Sequence, residues 1–120
     1  MAPYSGDNSG LQVTVEARSE LDRLPAAVEV AAFRIALEAV TNAARHAAAQ
    51  CCDVRFELNG MLTIEVTDDG RGLSEDAVPG IGINSMRARA EELGGRCVLT
   101  SAGNGGTRVL AHLPVDAIPQ

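Results

Sequence analysis

Between residues 51 and 67 apolar and polar side chains alternate in two runs. Cys52, Val54, Phe56 and Leu58 share one side of the first, and Leu62, Ile64 and Val66 share one side of the second. A period of two marks a strand with one covered face, and Asn59-Gly60 between the runs is a hairpin turn signal. A shorter alternation around Val13 and Val15 predicts a strand over residues 11–17. Residues 96–100 and 107–113 predict two more, joined by the glycine-rich stretch 101–106. Residues 26–49 are rich in Ala, Glu and Arg, hold no Gly or Pro, and follow Pro25, which suits a first helical turn. They predict one long helix. At 100° per residue Phe33, Ala36, Leu37, Val40, Ala43 and Ala44 fall on its apolar side, with Arg34, Glu38, Asn42, Arg45 and His46 on the other. Ile35 lies among the polar positions, so that side is expected to be half covered. Ile83, Met86, Ala90 and Leu93 recur at helical spacing, and Gly94-Gly95 stops a second helix.

The expected order is strand, helix, two strands, helix, two strands. This is an α+β chain, a two-layer α/β sandwich with a mixed, mostly antiparallel sheet and its helices on one face. One domain is expected over residues 11–114, with a flexible arm at 1–10 and a tail at 115–120. Its 120 residues are 46% hydrophobic, which suits a single core. No apolar run approaches a membrane span, and no secretory leader is visible. A cytoplasmic location is expected, in a parent protein that is either soluble or membrane-anchored. A net charge of -6 and 2% aromatic content argue against a nucleic-acid partner. They leave a nucleotide open, because a metal and local amides can neutralise phosphates. Cys51, Cys52 and Cys97 have no metal-ligand spacing and read as free thiols in a reducing compartment.

Two clusters carry candidate chemistry. Glu38, Asn42 and His46 are four residues apart and so stack along one helix face. Such a stripe is equally a solvated face, but Asn42 is a mediocre residue inside an Ala-rich helix. The second cluster, Asp68-Asp69-Gly70-Arg71-Gly72, follows a strand directly. A carboxylate at that strand end can accept the amino hydrogen of adenine and would repel the oxygen guanine presents there. Gly70 and Gly72 let backbone approach a flat base. Taken alone, Asp-Gly is a common turn. Residues 70–79 are expected to form a loop, and Gly80-Ile81-Gly82 precedes the second helix, where backbone amides can face phosphate. Thr107, opening the last strand, offers a hydroxyl to phosphate or ribose, or is a plain β-branched strand residue.

In combination the segments resemble a known family. Glu38-Ala-Val-Thr-Asn42-Ala-Ala-Arg45-His46 is similar to the N box of the sensor histidine kinases, and Asp68-x-Gly70-x-Gly72 to their G1 box. Gly80-x-Gly82 with the helix after it resembles the G2 box, and Gly106-Thr107 resembles the last strand. The resembling branch is that of the nitrate and membrane-fluidity sensors, within the superfamily of DNA gyrase, Hsp90 and MutL. The resemblance implies a Bergerat-type sandwich that binds ATP with magnesium. It implies Asn42 as the Mg2+ ligand, Glu38 as catalytic base or hydrogen-bond organiser, Arg45 and His46 near the phosphates, and Asp68 on the adenine. Gly70, Gly72, Gly80 and Gly82 would frame the base and lid.

The resemblance further implies transfer of the γ-phosphoryl group to a histidine on a separate dimerisation domain, and onward to a response regulator. Nothing in the chain matches that acceptor. An isolated monomer and a homodimeric parent kinase are therefore expected. The segment 73–79 is a short lid without an aromatic residue. Two alternatives share the fold: a stand-alone serine kinase of the anti-sigma type, and a degenerate module that binds nucleotide without transfer.

Overall fold

A computed structural model of the chain describes residues 2–4, 11–17, 24–45, 49–70, 81–103 and 105–115. In chain order the elements are β1 (Ala2–Tyr4), β2 (Gln12–Ala17), α1 (Ala26–Arg45), β3 (Cys51–Asn59), β4 (Met61–Asp68), α2 (Ile81–Glu92), β5 (Arg96–Ser101) and β6 (Thr107–Pro114). The strands form one six-stranded sheet in the order β1-β2-β3-β4-β6-β5. Only β2 and β3 run parallel, the connection that contains α1; every other neighbouring pair is antiparallel. The expected α+β sandwich with a mixed, mostly antiparallel sheet is what the chain forms.

The alternation read from the sequence is the alternation of burial. Cys52 and Val54 on β3, Leu62, Ile64 and Val66 on β4, and Val109, Ala111 and Leu113 on β6 face one way and make the sheet's half of the core. Their neighbours along each strand are exposed or half-buried, and there Arg108 pairs with Glu65 and Arg55 approaches Glu16 at 3.8 Å. Such exposed pairs add little, about 0–1 kcal/mol each. Both helices pack against the covered face and against each other.

The inner face of α1 differs from the expected one. Its buried residues are Val28, Ala31, Ala32, Ile35, Ala36, Ala39 and Ala43. Ile35 is 0% exposed, whereas Phe33 is 62% exposed and Leu37 also faces outward. The sequence reading followed bulk, whereas the fold selects small side chains. A stripe dominated by alanine brings the helix close to the sheet, and Ile35 fills the space that remains. The correction moves the polar stripe as well. Asn42 follows Ile35 by seven residues, about two turns, so it stands on the core side of the helix rather than opposite it. Asn42 and Glu38 are both half-buried, at the border of the core.

Further differences concern ends. The described part of α1 ends at Arg45, residues 46–48 of the expected helix lie outside the described residues, and the helix does not include residue 49. Ala49 is outside the helix, and its N–H donates to the Ala43 carbonyl at 3.2 Å, a closure too wide for the α ladder. The hairpin turns on Gly60, at φ 77°, with Asn59 opposite Met61, so Gly60 alone separates the paired residues where a two-residue turn was expected. Ala2–Tyr4, inside the expected flexible arm, pairs with Val13–Val15 by backbone register and extends the sheet edge. Pro3 there is tolerable because an edge strand leaves one side without a ladder. Met1 and residues 5–10 lie outside the described residues, as do 116–120 of the expected tail. The helix α2 stops where Gly94-Gly95 predicts. Gly94 adopts φ 82°, its N–H donates to Glu91 O at 3.0 Å, and the Gly95 N–H donates to Ala90 O at 2.8 Å. That pair of bonds is the Schellman closure of a helix C-terminus.

Candidate functional site

Asp68 ends β4 in phase with Leu62, Ile64 and Val66, so its side chain turns to the covered face. It is 7% exposed and is the one buried charged side chain among the described residues. A buried carboxylate requires donors, and backbone supplies them. Its Oδ1 accepts the Gly70 N–H at 2.8 Å and the Thr107 N–H at 3.3 Å. The first bond closes the turn that leaves β4. The second crosses from the start of β6.

The approach of β6 depends on a residue that sequence reasoning did not single out for the site. A Cβ built on Gly106 would stand 1.9 Å from the Asp68 carbonyl oxygen and 3.0 Å from Asp68 Oδ1. Only a residue without a side chain lets the β6 start lie against Asp68. The signal in the sequence is thin: a glycine before the Thr that opens a strand. Thr107 is half-buried beside it, so its backbone N–H, rather than only its hydroxyl, belongs to the site.

Asp69 turns the other way. Its side chain is exposed, and Oδ1 accepts the Gln50 and Cys51 N–H groups, each at 2.9 Å. These donors, Cys51 foremost, hold its carboxyl below the usual carboxylate range. Cys51 is exposed, while Cys52 and Cys97 are buried and all three are free thiols. Burial, reinforced by Asp68, Asp53 and Asp69, pushes the Cys52 thiol up to about 12, so it is an inert core residue. Burial raises Cys97 as well, opposed by Arg87.

Of the other expected site residues, Glu38 and Asn42 share a face of α1, four residues apart, and Arg45 is exposed in its last turn. Gly70 is half-buried in the turn after β4. Gly82 lies inside the first turn of α2, which begins at Ile81, so Ile81 and Gly82, expected to precede the helix, belong to it. His46, Gly72, Gly80 and the segment 73–79 lie outside the described residues. A shallow groove lined by Ala26, Ala27, Val30, Ala31, Arg89, Glu92 and Leu93 lies between the start of α1 and the end of α2. Its lining residue on α1 nearest to Asn42, Ala31, is about 16 Å away along the helix at the rise of an α-helix, and the groove contains none of these groups. Among the described residues no helix is long and apolar enough to cross a membrane.

Residues 27–117 match the family of histidine kinase-, DNA gyrase B- and HSP90-like ATPases. The chain is 36% identical over 91 residues to sensor histidine kinase LiaS of Bacillus subtilis, covering 73% of this chain and 25% of that protein. It is 34% identical over 107 residues to the nitrate/nitrite sensor protein NarQ of Escherichia coli, covering 86% and 19%. The chain therefore spans about a quarter or less of these relatives. Among solved structures, the blue-light activated histidine kinase of Erythrobacter litoralis superposes with TM-score 0.70 at 25% identity, over 88% of this chain and 38% of that one. The ATP-binding domain of PrrB from Mycobacterium tuberculosis shares the fold, with TM-score 0.64 at 22% identity over 88% and 82%. With a match across most of its length, the chain belongs to the histidine kinase-, DNA gyrase B- and HSP90-like ATPases, and within them it is similar to the sensor histidine kinases.

Proposed function

We propose that this domain selects ATP through Asp68, positions its triphosphate against α1, and delivers the γ-phosphoryl group to a histidine on the dimerisation domain of its parent kinase. A response regulator would take the group onward. The observation that carries the proposal is the buried Asp68 with both of its backbone donors on Oδ1. That arrangement orients the carboxylate, and Oδ2 would accept the adenine amino hydrogen. Guanine would set its carbonyl oxygen against the same atom, two acceptors facing one another.

Magnesium fits the residues present. Asn42 offers a neutral amide oxygen at the edge of the core, a hard donor of the kind that ion takes, with waters and phosphate oxygens completing its octahedron. Bound there, it would offset charge on the phosphates. Glu38, one turn before Asn42, would orient the incoming acceptor or a water. Arg45 and His46 would lie toward the phosphates, and Gly72, Gly80 and Gly82 would border them. Thr107 would hold the nucleotide from the β6 side. Phosphoryl transfer asks the protein for positioning and electrostatics more than for covalent chemistry, and these groups supply both.

The test supplies ATP labelled at the γ-phosphate to the domain, with and without a matching helical-hairpin domain in trans. Acid-labile label on the hairpin alone is the expected result. Label on this chain would make His46 or His112 an acceptor and overturn the division of labour. Binding without transfer to any hairpin would favour a module that only holds nucleotide, and label on a serine of another protein would favour the anti-sigma type of kinase.

A further inference from the structure

Asp68 and Asn42 stand on separate elements, and something must fix the span between them. Asn42 precedes Ala43, whose carbonyl accepts the Ala49 N–H at 3.2 Å. The next two residues, Gln50 and Cys51, give their N–H groups to one oxygen of Asp69, and the Asp69 N–H returns a bond to the Cys51 carbonyl at 3.2 Å. The Gln50 carbonyl is held in turn by the Gln12 N–H at 2.9 Å. A continuous path of hydrogen bonds thus runs from the end of α1 through the entry to β3 to the residue beside Asp68. Asp69 is the only side chain in it.

We propose that Asp69 is a positioning residue that sets the distance between the adenine-reading end of the site and its metal- and phosphate-binding end. The proposal rests on the roles assigned above to Asp68 and Asn42. A carboxylate suits the position because two converging N–H dipoles meet one anionic oxygen, giving short, directional, charge-assisted bonds. The cluster is exposed, so water can replace these bonds with little loss of overall stability. Water cannot hold the β3 entry at a fixed separation from β4. Removing the side chain should therefore loosen the span while leaving each end intact. Asp68 keeps its own donors, Gly70 and Thr107, which do not involve Asp69. A ligand that reaches only one end should notice nothing, whereas a ligand that bridges both should bind more weakly.

Adenosine and Mg·ATP are those two ligands, each titrated by NMR chemical shift and calorimetry against wild type, Asp69→Ala and Asp69→Asn. For Asp69→Ala the expected result is a loss of about tenfold or more for Mg·ATP with less than about threefold for adenosine. Asp69→Asn, which keeps an oxygen for both N–H groups, should stay within about threefold of wild type for both ligands. The proposal is overturned if Asp69→Ala weakens both ligands equally, weakens neither, or is not rescued by Asn. If Asp69→Ala does not fold, Asp69→Glu, which keeps the charge but displaces the oxygen, is judged by the same ratio. A wild type that binds Mg·ATP but shows no adenosine binding at Asp68 would instead sink the underlying reading of the site.

Discussion

The two ends of the site are built differently. The proposed adenine end is a sheet device: Asp68 is in phase with the apolar face of β4, accepts two backbone N–H groups, and is covered by a glycine. The proposed phosphate end is a helix device: Glu38 and Asn42 stand half-buried on α1, beside the Ala-rich stripe that packs on the sheet. One carboxylate is immobilised by backbone that exists for the fold in any case. The other groups owe their aim to the depth and rotation at which a helix seats. Base selection should therefore fail abruptly, through local steric change. Metal and phosphate binding should fail without loss of the fold.

The largest effect is expected where the fold and the adenine end coincide. Gly106→Ala places a methyl against the Asp68 carbonyl and should cost about 3 kcal/mol, with loss of ATP binding. Gly103→Ala, in the same connection, meets nothing within 4 Å and should be close to neutral in both respects. Thermal unfolding and ATP titration of the pair would check this, and a tolerated Gly106→Ala would show that the close approach is not needed. Next comes the rotation of α1. Ile35→Ala should destabilise by about 2–5 kcal/mol, while Phe33→Ser on the outer face should move stability by less than about 0.5 kcal/mol. Equal effects in denaturant unfolding would mean that the helix presents the other face to the sheet. The smallest change in stability belongs to Asn42→Ala. It should leave the fold intact and lower Mg·ATP affinity by more than tenfold, about 1.4 kcal/mol, measured by calorimetry. Unchanged affinity in a folded variant would remove Asn42 from the metal.

These contrasts also mark what the chain discloses as a sequence. Period-two alternation on β3 and β4 and the glycine stop after α2 are local signals, and they placed strands and helix end correctly. Asp68 was legible because it ends an alternating strand. The seating of α1 was not, because choosing between Phe33 and Ile35 depends on how closely the sheet approaches, a tertiary property. Gly106 and Asp69 were named only as parts of motifs, and their contacts were missed for a related reason. Each acts on residues far away in sequence, Gly106 on Asp68 and Asp69 on Gln50 and Cys51, and no periodicity records such a contact. The edge strand at Ala2–Tyr4 escaped because its pairing is made by backbone.

The central claim is that Asp68 reads the base, and calorimetric titration of wild type and Asp68→Asn with Mg·ATP and Mg·GTP tests it most directly. Wild type should favour ATP by more than tenfold, about 1.4 kcal/mol, and Asp68→Asn should weaken ATP without improving GTP. Equal affinity of the wild type for the two nucleotides would contradict the account.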